Sequence, residues 1–153
     1  MLDKFNSIKF DIIKPQKKDI KMLKNLKLKT ILTDTSSNIS TLEKNKIIQY
    51  VNKYIDENYK KYNLIVSKEN ILGAYCIDQY KDGLLLDEIY IFQKYRNKGI
   101  ATKIITDLQN TINKNIYLWV YKSNKIALKL YTNLEFNIET ETETRYLMKW
   151  QNK

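Results

Sequence analysis

The chain has 153 residues, 43% of them hydrophobic, which is enough to bury one core of ordinary domain size. Its 27 Lys and Arg exceed its 17 Asp and Glu, giving a formal net charge of +10, and it has no His, which excludes a Ser-His-Asp triad, a Cys-His dyad and any His-ligated zinc site. The single cysteine, Cys76, excludes an internal disulfide, and no run of about 18 apolar residues predicts a membrane span. We therefore expect one domain over residues 1–153, in the cytoplasm and away from membranes.

The first third of the chain predicts one short strand and two helices. Residues 10–13 suit the strand, and Asp19 can cap a helix that runs to about Thr30. Residues 33–41, "TDTSSNIST", have the composition of a loop. Apolar residues at helical spacing over 41–55 then predict a second helix.

The middle of the chain changes to the period of strands. Residues 62–68, 71–80 and 84–92 are typical of three strands joined by short turns, and the turn at 81–83, "KDG", is a hairpin signal. This pattern predicts an antiparallel meander. Its third strand is largely apolar and is therefore expected to be central.

The last third alternates helix and strand. Isoleucine and leucine recur every fourth residue over 100–112, which predicts a helix that begins near Gly99. Residues 115–121 suit a strand, Asn124 can cap a further helix, and residues 136–150 suit a closing hairpin. Because a helix connects the strand at 115–121 to the strand before it, these two should lie parallel in an otherwise antiparallel sheet.

A short basic turn with a glycine precedes the helix at 100–112. The chain has only three Gly and two Arg, yet Arg96 and Gly99 lie three residues apart here. The first turn of a helix has unpaired N–H groups and partial positive charge, Gly99 lets a ligand approach the backbone, and Arg96 and Lys98 add charge. These features predict a phosphate or pyrophosphate site. The sequences of a P-loop and of a dinucleotide fingerprint are both absent.

The segment "LDEIYIFQKYRNKGIATKI" resembles the central motif of the GNAT superfamily of N-acetyltransferases, [QR]-x-x-G-x-[GA], which here falls on Arg96, Gly99 and Ala101. "IIKPQKKDIKMLKNL", "LWVYKSNKIALKLYTNLEFN" and "RYLMKW" are similar to the family's opening, its later strand and helix, and its last strand. The chain departs from the family at Glu135, where Gly is frequent. The resemblance implies an α/β (α+β) GNAT-like fold with a mixed, mostly antiparallel sheet of about seven strands, about four flanking helices and one splayed parallel strand pair.

The resemblance also implies acetyl-CoA as the acyl donor, without a metal. The basic loop would bind the pyrophosphate, and free backbone N–H groups of the splayed strand, Ile91 foremost, would face the pantetheine and the thioester carbonyl. Asn124 would bind pantetheine, cap its helix, or do both. The residues that the resemblance assigns to coenzyme A are Ile89, Tyr90, Ile91, Arg96, Asn97, Lys98, Gly99, Ile100, Ala101, Thr102, Asn124, Ala127 and Tyr131.

Two residues are the candidates for catalysis. Tyr131 matches the family tyrosine that protonates the departing thiolate. Glu88 is the candidate base, because a chain without His needs another proton acceptor, although its position in the strand is opposite in parity to Ile89 and Ile91. Asp87 and ordered water are the alternatives. Cys76 is expected to be a buried thiol and not a nucleophile.

These observations predict an N-acetyltransferase that moves an acetyl group directly to a primary amine of a small molecule or a protein. The sequence does not identify the amine. The resemblance places specificity in the first two helices, the loop at 33–41 and the hairpin near 139–146, whose residues indicate no particular substrate. Two other hypotheses stay open: an RNA-directed acetyltransferase or RNA-binding module, motivated by the +10 charge, and a coenzyme A-binding protein without catalysis. Since 25 of the 27 basic residues are Lys, which lacks the planar fork of Arg, we do not expect a nucleic-acid partner. Dimers are frequent in the family, so a homodimer is possible, but no residue pattern predicts one and the oligomeric state stays open.

Overall fold

The computed structural model describes residues 8–34 and 39–153. Within them the chain forms a seven-stranded sheet and four α-helices, which confirms the predicted mixed α+β fold. None of the described helices is long and apolar enough to cross a membrane. The strands are β1 (Asp11–Ile13), β2 (Tyr62–Ser67), β3 (Asn70–Tyr80), β4 (Gly83–Ile91), β5 (Asn115–Tyr121), β6 (Asn137–Glu141) and β7 (Arg145–Trp150). The helices are α1 (Ile20–Asp34), α2 (Thr41–Asn58), α3 (Ile100–Thr111) and α4 (Lys125–Asn133).

The sheet has the strand order β1-β2-β3-β4-β5-β7-β6. Every neighbouring pair is antiparallel except β4 and β5, which are parallel as predicted because α3 connects them. Helices α1 and α2 pack on one face of the sheet, and α3 and α4 pack on the other. We call these the α1/α2 face and the α3/α4 face.

The end of the first helix differs from the sequence prediction. Helix α1 continues to Asp34, so the first two residues of the predicted loop at 33–41 are helical. Residues 35–38 of that loop lie outside the described residues. Ser40 caps α2, since its side chain accepts a hydrogen bond from the Glu43 backbone N–H at 3.1 Å.

Strand β4 contains a β-bulge at Asp87. Opposite it on β3, Cys76 pairs with Glu88 and the next residue, Ile77, pairs with Leu86, so Asp87 has no direct partner. The extra residue reverses the alternation of side chains along the strand. Leu86 packs on the α3/α4 face, as Ile89 does beyond the bulge, while Glu88 points to the α1/α2 face.

The parallel pairing of β4 with β5 is short. It joins Gly83, Leu84 and Leu85 to residues 115–117 and then ends. At its first pair the backbones approach so closely that a Cβ on Gly83 would lie 2.0 Å from the carbonyl oxygen of Asn115. Beyond Leu85 the two strands part, which opens a gap in the middle of the sheet.

Two hydrogen bonds to one carboxylate join the strands where this pairing begins. Asp82 accepts a bond from the Tyr117 hydroxyl at 2.7 Å and another from the Asn115 side-chain amide at 3.0 Å. These bonds to Asp82 lower the pKa of its carboxyl group, the bond from Tyr117 most of all. The carboxylate therefore ties the turn before β4 to the start of β5.

Helix α4 ends in a Schellman motif centred on Glu135. The backbone N–H of Phe136 donates to the Tyr131 carbonyl at 3.0 Å, and that of Glu135 donates to the Thr132 carbonyl at 3.1 Å. Glu135 has a φ of 71°, so a glutamate adopts the left-handed conformation that favours glycine. The Tyr131 and Phe136 rings lie 6.0 Å apart, so the motif also fixes the position of Tyr131.

We expect Glu135→Gly to raise the free energy of unfolding by about 0.5–1 kcal/mol, because glycine adopts the left-handed conformation without strain from a Cβ. Glu135→Ala is the control, since it removes the same exposed carboxylate but keeps the Cβ. Urea denaturation of both variants measures the difference. Equal midpoints for the glycine and alanine variants would contradict this account.

Candidate active site

The loop before α3 leaves an open, polar approach to the start of the helix. Gly99 is the N-cap residue with a left-handed φ of 77°, and a Cβ placed on it would meet no atom within 4 Å. The first intrahelical hydrogen bond runs from the Lys103 N–H to the Gly99 carbonyl at 3.0 Å. The N–H groups of the preceding residues, Ile100, Ala101 and Thr102, therefore have no acceptor within the helix. They face a site that suits an anion.

The polar residues of this loop have different surroundings. Arg96 folds back over β4, where its Nε donates to the Ile91 carbonyl at 2.8 Å and its guanidinium lies 5.2 Å from the centre of the Tyr90 ring. Asn97, with a left-handed φ of 62°, and the exposed Lys98 line an open groove of about 1100 Å³ between the loop and residues 8–12. The groove has room for an extended anionic ligand.

The backbone of β4 presents free donors to the gap. The Phe92 N–H donates to the Leu72 carbonyl of β3 at 2.9 Å. Because backbone groups alternate along a strand, the Tyr90 N–H also points toward β3, whereas the N–H groups of Ile89 and Ile91 point toward the gap. The two isoleucines are therefore in place as donors, and Tyr90 contributes its ring.

A cavity of about 400 Å³ occupies the gap between β4 and β5. Its walls come from both faces of the sheet, so it connects the α3/α4 face with the α1/α2 face. The residues that line it are Lys27, Thr30, Ile31, Tyr50, Leu86, Asp87, Glu88, Ile89, Tyr90, Leu118, Trp119, Val120, Tyr121, Asn124, Ala127, Tyr131 and Arg145.

Helix α4 places three of the predicted residues on the cavity. Asn124 caps the helix, since its Oδ1 accepts from the Ala127 N–H at 3.1 Å. Tyr131 lies two turns further along and is only 9% exposed. Its hydroxyl has no hydrogen-bond partner among the described residues. Burial raises the pKa of this hydroxyl to about 12, so Tyr131 holds its proton at neutral pH.

The candidate base Glu88 is held by two partners. Its Oε1 accepts from the Lys27 Nζ at 3.0 Å, and its Oε2 accepts a short hydrogen bond from the Tyr62 hydroxyl. The Lys27 and Glu88 side chains are 9% and 17% exposed, so this ion pair is largely shielded from water. Lys27 also lies 4.3 Å from the centre of the Tyr54 ring. These contacts occupy both oxygens of Glu88.

Asp87 has a more open setting. The residue is exposed and lines the cavity, and its carboxylate accepts a long hydrogen bond of 3.4 Å from the Tyr54 hydroxyl. No Lys or Arg nitrogen within the described ranges lies within 4.0 Å of it. Although the residue as a whole is exposed, partial desolvation of its carboxyl group, followed by repulsion from Glu88, raises the pKa of Asp87. Both carboxylates at the bulge line the cavity, but only Glu88 has both oxygens bonded to protein donors.

Cys76 is fully buried beside these carboxylates, as expected from the sequence. Burial, with smaller contributions from Asp87 and Glu88, raises the pKa of its thiol to about 12. The thiol is therefore neutral and unsuited to attack a substrate. Across residues 8–34 and 39–153, no cluster of His, Cys, Asp and Glu could hold a metal ion.

Sequence reasoning missed several residues around the cavity. Lys27 contacts Glu88 from 61 positions away, and Tyr54 and Tyr62 complete that cluster. A lysine on the apolar side of the predicted first helix was the available signal for this buried ion pair. Arg145, the second of only two arginines, was the available signal for the far wall of the cavity.

Comparison with known proteins agrees with this geometry. The model of the family described as "Acetyltransferase (GNAT) family" matches residues 28–136. A search of curated proteins found no match to the chain. Solved structures resemble it over nearly its whole length.

Three of these structures illustrate the likeness. An N-acetyltransferase from Staphylococcus aureus Mu50 is 15% identical, with a TM-score of 0.73 over 92% of this chain and 100% of that one. The PaiA N-acetyltransferase from Thermoplasma acidophilum, in complex with coenzyme A, is 14% identical, with a TM-score of 0.67 over 94% and 99%. The spermidine/spermine N-acetyltransferase SpeG from Vibrio cholerae is 16% identical, with a TM-score of 0.62 over 94% and 95%. At these identities the likeness shows the fold.

The family model spans well over half of the chain and includes β4, the loop at Arg96–Gly99 and the helices on both sides of the cavity. The chain therefore belongs to the GNAT family of acetyltransferases.

Proposed function

We propose that the protein transfers an acetyl group from acetyl-CoA to a primary amine, directly and with both substrates bound. The observation that carries this proposal is the early separation of β4 from β5. This separation opens a cavity that is lined from both faces of the sheet, and the loop proposed to bind the anion follows the end of β4. Two substrates that enter from opposite faces would meet in this gap, which lowers the entropic cost of bringing them together.

The residues of the α3/α4 face fit coenzyme A. The free N–H groups of Ile100, Ala101 and Thr102 would bind the pyrophosphate, and Lys98 adds positive charge to the same groove. The N–H groups of Ile89 and Ile91 would orient the pantetheine and polarise the acyl carbonyl. When bound, acetyl-CoA supplies the acyl group as an activated thioester.

Tyr131 would act as the general acid. The residue lines the cavity, its hydroxyl has no hydrogen-bond partner within residues 8–34 and 39–153, and it keeps its proton because burial raises its pKa to about 12. It can therefore give the proton on Oη to the leaving sulfur.

Asp87 would take the proton from the amine. Its carboxylate is open to the cavity, and its raised pKa brings it closer to that of an effective base than an ordinary Asp. Glu88 would have a structural role beside Asp87, since its two oxygens accept hydrogen bonds from Lys27 and Tyr62.

The first test is a thermal-shift titration with acetyl-CoA, followed by a screen of amines that reads the release of free thiol. We expect acetyl-CoA to raise the melting temperature, because a ligand that binds only the native state stabilises it. Failure of every coenzyme A ester to stabilise the protein would contradict the proposal. Stabilisation without thiol release from any amine would indicate a coenzyme A-binding protein without catalysis.

Thr102→Asp locates the donor site. An aspartate in the first turn suits the helix dipole, so α3 should stay folded, but its charge would repel the pyrophosphate. We expect most of the thermal shift with acetyl-CoA to disappear. Asn110→Asp, an exposed residue near the other end of α3, is the control with the same change of charge.

Tyr131→Phe tests the general acid. We expect kcat to fall about 100-fold, because the leaving sulfur loses its proton donor, while the thermal shift with acetyl-CoA remains. Since the pKa of Tyr131 is raised to about 12, this residue should cause no loss of rate below about pH 10 in the unmodified protein. Tyr121→Phe, another tyrosine of the cavity, is the control. Undiminished turnover across the pH range would remove Tyr131 from the chemistry.

Asp87→Asn and Glu88→Gln separate the two carboxylates. Because the pKa of Asp87 is raised, its basic form is lost at a higher pH than that of an ordinary Asp, so kcat/KM should rise with pH through that pKa. We expect Asp87→Asn to abolish this rise and to lower kcat/KM about 100-fold.

Glu88→Gln should instead cost about 3 kcal/mol of stability, since it leaves Lys27 buried without its partner, and the rise of kcat/KM with pH should persist. The double variant Lys27→Met with Glu88→Gln should recover part of that stability. Denaturation curves and pH–rate profiles of the three variants check these outcomes. Loss of the pH dependence in Glu88→Gln alone would assign the base to Glu88.

A further inference from the structure

Arg145 projects into the cavity from β7, which lies beyond β5 on the side of the gap opposite β4. It pairs in register with Tyr121 of β5. Its guanidinium lies 4.8 Å from the centre of the Trp119 ring, and both side chains line the cavity and are half-buried. Stacking on an indole fixes the plane of the guanidinium and leaves the N–H groups at its edge free to donate.

This guanidinium has no acidic partner among the described residues. No carboxylate of residues 8–34 or 39–153 lies within 4.0 Å of it, although the β6–β7 hairpin is rich in Glu. Glu141 of that hairpin pairs with Lys122 instead. A half-buried cation without a counter-ion is costly unless a ligand supplies the missing charge.

The remaining charges of the cavity show which groups are already matched. Lys27 and Glu88 neutralise each other in a shielded ion pair. Asp87 has no cationic partner, as described above. The cavity therefore holds one unmatched carboxylate on β4 and one unmatched guanidinium on β7.

The two unmatched groups lie at different heights along the gap. Asp87 is two residues beyond Leu85, the last residue of β4 that pairs with β5. Arg145 faces Tyr121, which is four residues beyond Tyr117 on β5. A ligand that contacts both must therefore carry a positive and a negative group, each placed to meet one of them.

We propose that the acceptor is an amino acid or a similar amine that also carries a carboxylate, with the ammonium group beside Asp87 and the carboxylate on Arg145. This inference rests on the proposed function, since the amine is the group to be acetylated. The planar fork of Arg matches a carboxylate with two parallel hydrogen bonds, which Lys does not offer. A polyamine is disfavoured, because its second ammonium would lie beside the guanidinium.

The experiment compares acceptors in matched pairs. The probes are α-amino acids with aliphatic and aromatic side chains, and ω-amino acids of two to six carbons, each beside its own carboxamide. Putrescine and spermidine represent acceptors with a second cation. Thiol release gives kcat/KM for each probe. The thermal shift of the coenzyme A-loaded protein reads acceptor binding without requiring turnover.

We expect at least one acid to exceed its carboxamide by about 10-fold or more in kcat/KM and to exceed both polyamines. In Arg145→Met the ratio of acid to carboxamide should fall to about one, and in Arg145→Lys it should be intermediate. Lys149→Met is the matched control, because it removes a cation from the same strand. The Lys149 Nζ lies 5.6 Å from the centre of the Tyr117 ring, and neither Lys149 nor Tyr117 lines the cavity. Its ratio should equal that of the unmodified protein.

Carboxamides or polyamines that match the acids in the unmodified protein would overturn the inference. An equal loss of kcat/KM for acids and carboxamides in Arg145→Met would also overturn it. If no amine is acetylated, the proposed function fails, but the thermal shift still shows which class of amine the cavity binds. A thermal shift with an acid but not with its carboxamide, and the loss of that shift in Arg145→Met, would support the inference. Equal shifts with the acid and the carboxamide would reject it.

Discussion

Strand β4 stays beside β5 for three residues and then leaves it, and most features of the site follow from that separation. A parted strand exposes backbone N–H groups that a complete sheet would pair, and such groups need another partner. Here the donors of Ile89 and Ile91 point into the gap between β4 and β5, and the loop beyond them ends at the free N–H groups of α3. The incomplete hydrogen-bond ladder therefore leaves unpaired backbone donors both along β4 and at the start of α3.

The bulge at Asp87 gives two adjacent carboxylates different surroundings. Without it, Glu88 would lie on the same face as Leu86, because side chains alternate along a strand. With the extra residue, Glu88 turns to the α1/α2 face and meets Lys27 and Tyr62, while Asp87 remains open to the cavity. One carboxylate thereby becomes part of a shielded ion pair, and the other lies at the cavity with a single long hydrogen bond from Tyr54. Bulges next to active sites commonly aim side chains in this way.

The two arginines lie on opposite sides of the gap between β4 and β5. The chain has 25 Lys but only two Arg, and each Arg stacks on an aromatic ring: Arg96 on Tyr90 and Arg145 on Trp119. Arg96 belongs to the donor loop, and Arg145 lies across the gap on β7. A stacked guanidinium loses less freedom when it binds an anion than a flexible lysine does. The many lysines account for the net charge of +10, whereas both arginines are held against aromatic side chains of the site.

The sequence alone determined the order and type of the elements, the parallel β4–β5 pair, the glycine at the start of α3 and the placement of Asn124 and Tyr131 at one helix. Helical and strand periods, caps and turn residues act within a few positions of the chain, so they can be read from it directly. Glu135 shows a limit even there, because a glutamate keeps the left-handed backbone that glycine would favour.

Only the tertiary structure decided which carboxylate is held and which is free, and which residues form the far wall of the cavity. The contact between Lys27 and Glu88 spans 61 positions, and Arg145 meets Trp119 across two strands. The bulge at Asp87 has no sequence signature, yet the one-residue shift that it introduces exchanges the faces of all the side chains that follow in β4. Such contacts depend on strand register and packing between distant parts of the chain, which local patterns do not specify.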